Sequence, residues 1–181
     1  MGQGAWEEID VGKAGADYGW NLREGHCVVN SIIDCDPPPA GLTDPIFDYE
    51  NGAFIAGVVE DQCGAITGAA FVPNGVWSAE FNSTYLYGDY NCGTIFLLRP
   101  DGAGGYISRD FVTGLGVGSV VELAFGPDPS GTALYYLTYS HGGQLRRISF
   151  DQTSYLAASI VSQSLEPVVV PWRRAFTAHL Q

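Results

Sequence analysis

The feature that most restricts the fold is a repeat inside the chain. TYLYGDYNCGTIFLLRPDG, beginning at Thr84, aligns with TALYYLTYSHGGQLRRISF, beginning at Thr132, so that Leu86 falls on Leu134 and Tyr87 on Tyr135 at an offset of 48 (132 − 84). Each copy reads as two short runs of aromatic and β-branched residues separated by a glycine-containing turn, which is the pattern of a hairpin. A unit that repeats in this way cannot bury its apolar face alone and gains stability by stacking on its neighbours. A period near 50 residues built from hairpins lies in the range of propeller blades, each a small antiparallel sheet.

The rest of the chain to Phe150 reads in the same terms. Ile46 to Tyr49, Ala65 to Val72, Thr84 to Tyr90 and Thr94 to Leu98 are strand-like, each bounded by turn formers. The 24 Gly and 10 Pro leave few stretches long enough for helices. Gly114-Leu115-Gly116-Val117-Gly118 lacks the Lys-Ser/Thr and the helical continuation of a nucleotide loop, so it reads as a turn between strands. Phe47, Tyr49, Phe71, Tyr87, Phe96, Phe125 and Tyr136 alternate with small or polar neighbours, as aromatics packed between sheets do. Beyond Asp151 the texture changes to a stretch without a paired-strand pattern, carrying Pro167, Pro171, Trp172, Arg173 and Arg174. The chain therefore divides into a repeat-built body, residues 1–150, and a tail of unknown structure, residues 151–181.

Twenty acids against eight Lys and Arg give a net charge of −12, which repels phosphate backbones and anionic headgroups, so neither nucleic acid nor a membrane is an expected partner. A solvated acidic surface is the simplest reading of that charge. Cys27, Cys35, Cys63 and Cys92 contain no C-x-x-C pair of the kind that suggests zinc or redox chemistry. Four cysteines allow three pairings. The first two share one proline-rich loop and the last two each precede a strand-like segment, so Cys27 with Cys35 and Cys63 with Cys92 are expected as disulfides. Disulfides place the protein in an extracellular or periplasmic setting.

Several motifs in a fixed order carry a resemblance. GQGAWEEI, GADYGWNLREGHC, CGAITGAAF, YLYGDYNCGTIFLL and VVELAFGPD with LYYLTY together resemble the glucose/sorbosone dehydrogenases, the soluble sugar dehydrogenases that use pyrroloquinoline quinone (PQQ). The resemblance spans roughly residues 2–150. It implies an all-β fold, part of a six-bladed propeller of four-stranded antiparallel sheets, of which this chain would hold about three blades from the C-terminal half. Partners follow from that: the remaining blades of a parent propeller, or another copy of the chain closing the open sheet edges.

The resemblance also implies a calcium site, with Glu8 supplying a carboxylate and Tyr18 its backbone oxygen. Oxygen ligands on irregular backbone suit calcium, and Glu7, Asp10 and Asp17 are further oxygens nearby to which no motif gives a role. In quinone-using relatives the catalytic base is a His in an earlier blade, so this chain is not expected to be catalytic alone. Those relatives place cations against the three carboxylates of PQQ where Asn91, Ser119 and Val121 stand here. The parent would oxidise aldose sugars with a quinone; the alternative is a non-catalytic, calcium-stabilised binding module or a self-assembling fragment. His26, His141 and His179 lie far apart, without a metal motif, and read as surface or packing residues.

Overall fold

The computed structural model describes residues 2–52, 63–129 and 131–150, together with the backbone of strands at 158–161, 167–170 and 176–180. It is all-β, made of small antiparallel sheets, with no α-helix among the described residues. Strand β1 (Trp6–Ile9) pairs with β4 (Phe47–Glu50), and the excursion between them carries a short ladder of β2 (Arg23–Glu24) with β3 (Cys27–Val28). Four strands in sequence order then make the first four-stranded sheet: β5 (Ile66–Phe71), β6 (Tyr85–Asp89), β7 (Thr94–Pro100) and β8 (Tyr106–Val112).

The second sheet runs through β9 (Leu123–Asp128), β10 (Gly131–Thr138) and β11 (Gln144–Phe150). Its fourth strand comes from the far end of the chain. After the hairpin of β12 (Ala158–Val161) with β13 (Pro167–Val170), β14 (Phe176–Leu180) pairs with β11. The stretch read as lacking paired strands thus holds three among the described residues. Pro167 stands at the first position of β13, where proline is tolerated because no ladder donor is lost from the strand interior.

The two sheets pack face to face. Leu86, Ile95 and Leu97 of the first meet Leu123, Leu134, Tyr136 and Ile148 of the second, and Val72, Trp77, Phe81 and Phe111 join the same cluster. Each large apolar side chain fully buried there contributes about 1.5–3 kcal/mol. Strand β5 lies against β9, and Gly68 permits the approach: a Cβ at that position would sit 2.3 Å from the Glu122 Cα. The other face of the first sheet sends Tyr87, Phe96 and Leu98 into a second cluster with Ile9 and Tyr49, joining it to the β1–β4 layer.

The structure corrects the period of the repeat. Leu86 and Leu134 share one cluster, so the residues equated at an offset of 48 face each other across a single interface. Carrying one sheet onto the next must instead bring each side chain to the same face, and that takes an offset of 49, Tyr87 onto Tyr136 (136 − 87). Both tyrosines are buried, Tyr87 against the β1–β4 layer and Tyr136 against the first sheet. A slip of one residue reverses every side chain in a strand, which is why the alignment by letters and the alignment by faces disagree.

Candidate functional site

Period-two alternation sorts the acids of β1 onto opposite faces. Glu7 points inward with Ile9, while Glu8 shares the outer face with Trp6. Glu7 is fully buried, and its Oε1 and Oε2 accept hydrogen bonds from the amides of Gly2 (3.0 Å) and Ile66 (2.9 Å). Burial pushes its carboxyl above the usual range, the amides hold it down, and the charge of Asp89 adds to the rise.

Asp89 is the hub of this interior. Its Oδ2 accepts from the Tyr49 hydroxyl (2.5 Å) and the amides of Gly64 (2.8 Å) and Ala65 (2.9 Å), and its Oδ1 from the amides of Asn91 (2.8 Å) and Cys92 (3.1 Å). Burial, then the Asp89 charge, drives the Tyr49 hydroxyl far above its ordinary pKa, so it stays protonated and donates. Glu24 is a third buried acid, taking amides from Gly4 (2.7 Å), Ala5 (3.0 Å) and Asn30 (3.2 Å). Burial alone would raise it, but these bonds and one from Trp6 outweigh burial and hold its carboxyl below the usual range. Carboxylates held by several amides in this way anchor loops.

Glu8 is half-buried on the outer face, and its Oε2 accepts from the Gly25 amide at 2.9 Å. Burial pushes its carboxyl upward, and Asp10 and then Asp48 push it further, so three acids crowd one patch. Asp48 Oδ2 meets both the His26 amide (2.7 Å) and His26 Nδ1 (2.5 Å), and the His26 ring packs edge-on against Trp6 at 4.6 Å. Tyr18 closes the following loop by its side chain: the hydroxyl donates to the Val11 carbonyl and accepts from the Lys13 amide, each at 2.7 Å. No hydrogen bond joins Glu8 to Tyr18 among the described residues. Asp17, the other nearby acid, spends Oδ1 on the Gly19 amide.

Both expected disulfides are formed, Cys27 with Cys35 and Cys63 with Cys92. They consume the sulfurs of two groupings that would otherwise have metal-ligand separations, His26-Cys27-Cys35 and Cys63-Asp89-Cys92. Asn91 serves the Asp89 turn through its amide, the buried Ser119 hydroxyl donates to the Leu115 carbonyl at 2.8 Å, and Val121 is partly exposed. None of the three positions carries a cation. Sequence reasoning missed Asp89, Glu24 and Asp48. For the first, a signal was present in G-D-Y-N-C-G, since Asp two residues before an amide in a tight turn commonly caps it.

These elements define an all-β protein of small antiparallel sheets, braced by two disulfides that fit an oxidising compartment, and no described helix is long and apolar enough to cross a membrane. Compared with models of known protein families and with solved structures, the chain matches none.

Proposed function

We propose that the chain is a non-catalytic, calcium-stabilised portion of a secreted β-propeller of the glucose/sorbosone dehydrogenase type. Two four-stranded antiparallel sheets packed face to face, the first a meander and the second a three-stranded meander completed by β14, with the first strands β5 and β9 in contact and an offset of 49 between like faces, support blades in a propeller. The observation that carries the calcium reading is the pairing of Glu8 and Asp48, directly opposite each other in the β1–β4 register, with the charge of Asp10 close enough to add to theirs. Like charges held together and partly desolvated favour a bound cation. Tyr18 lies in the loop leading away from this patch, and among the described residues its carbonyl accepts no backbone hydrogen bond, leaving that oxygen open to a ligand. A role as scaffold suits the fully buried acids Glu7, Glu24 and Asp89, each engaged by backbone amides. Oxidation of aldose sugars with PQQ belongs, in this reading, to the rest of a parent propeller.

Calorimetric titration of the chain with calcium tests the site. Glu8→Gln is expected to weaken binding by about tenfold or more, as loss of one carboxylate ligand does. Equal affinity for the parent and the variant would refute the assignment.

A further inference from the structure

The β1–β4 layer covers only part of the first sheet. Phe47 reaches Tyr87, with ring centroids 6.2 Å apart, but among the described residues nothing fills the face toward Phe71, Leu98 and Tyr106. A cleft of about 450 Å³ results, walled by Ile46, Phe71, Tyr85, Leu98 and Tyr106 and bordered by Asp10, Val11 and Gly12. Phe71, expected in the core, is instead 65% exposed, and Tyr106 is 38% exposed. The Phe71 and Tyr85 rings stand 5.0 Å apart and tilted by 57°, forming an aromatic corner. The volume lies within the range of small-molecule sites, roughly 300–1,000 Å³.

Charge narrows the class of ligand. Asp10 is the single charged residue among the described residues of the lining. An anionic ligand would meet Asp10 and a chain of net charge −12. A bare metal ion would find one carboxylate among apolar walls, too few oxygens for a hard cation. Aromatic faces beside one carboxylate suit an organic cation, which the rings attract through their quadrupoles.

We infer that this cleft binds a small organic ammonium ion, its apolar body against Phe71, Tyr85 and Tyr106 and its charge balanced by Asp10. The inference does not rest on the calcium reading, because all the binding can be measured with a chelator present. The probes are benzylamine, protonated at neutral pH, and benzyl alcohol, its uncharged counterpart of nearly the same shape. Calorimetry on the whole chain is expected to show benzylamine binding about tenfold tighter or more. Asp10→Asn should remove that preference while leaving benzyl alcohol within about twofold, and Phe71→Ala, at an exposed side chain that the fold does not need, should weaken both. Near-ultraviolet circular dichroism identifies a variant that has lost its fold, in which case Phe71→Ala alone decides. Equal affinity for the two probes, or benzylamine binding unchanged in Phe71→Ala, overturns the proposal.

Discussion

The turn between β6 and β7 and the turn between β10 and β11 hold the same place in the repeat, yet different forces fix them. In the first, Asp89 gathers five donors from three segments, and the Cys63–Cys92 disulfide ties the same turn to the entrance of β5. In the second, Thr138 stands 49 residues on (138 − 89) and acts only locally. Its hydroxyl donates to the Ser140 carbonyl (3.2 Å) and accepts from the Gln144 amide (3.1 Å). The first turn therefore holds the sheet to the layer before it through a side-chain carboxylate, whereas in the second Thr138 shapes its own hairpin and the backbone amides of Tyr139 and Ser140 reach outside it, to the Gly118 carbonyl (2.8 and 3.2 Å). One backbone plan has been braced by a carboxylate hub and a disulfide on one side, and by backbone hydrogen bonds and packing on the other.

The sharpest way to break that contrast is to remove the hub. Asp89→Ala strands buried amides and the Tyr49 hydroxyl together, and a cost of about 3–5 kcal/mol is expected in denaturant unfolding. Thr138→Ala at the matching position should cost only about 1 kcal/mol. If the two variants unfold at the same denaturant concentration, the turns are not differently braced.

Next in size is the disulfide. Cys63 and Cys92 lie 29 residues apart, and closing a loop of that length restricts the unfolded chain by about 3.6 kcal/mol in the chain-entropy account. Replacing both by Ser should lower the thermal midpoint by more than the equivalent change at Cys27 and Cys35, whose separation is 8. The opposite order would show that the proline-rich loop, rather than the Asp89 turn, carries the covalent bracing.

How far the sequence discloses this contrast depends on the kind of interaction. The strands around Tyr87 and Phe96 are legible because alternation and turn residues act locally, and the disulfide pairing follows from which segments the cysteines share. The repeat is visible in its letters, but its phase is not: Leu86 and Leu134 look equivalent until the packing shows them meeting across one interface. Strand β8 escapes notice because Arg109 and Asp110 interrupt its apolar residues. Strand β14 escapes because its partner, β11, lies across an intervening hairpin. Buried acids such as Glu7 and Glu24 are illegible for a similar reason, since the amides that justify them, Ile66 and Asn30 among them, are distant in sequence or belong to irregular backbone.

The smallest effect concerns an acid in the first sheet that is not part of its bracing. Asp110 in β8 stands opposite Phe96, and its Oδ1 is buried without a hydrogen-bond partner among the described residues. Burial raises its carboxyl from 3.8 to about 6, partly opposed by Arg109. A raised pKa in the folded state means that folding favours the protonated acid. The folded state therefore loses stability as pH climbs from near 4 to near 6, and above that window the whole penalty is present. Asp110→Asn should remove it, stabilising the protein at pH 7 by on the order of 1 kcal/mol once the water that still screens the group is taken into account. At pH 3.5 the variant and the parent should unfold alike. Thermal melts at the two pH values give the test, and a variant no more stable than the parent at pH 7 would mean that Asp110, like Asp89, finds its donors after all.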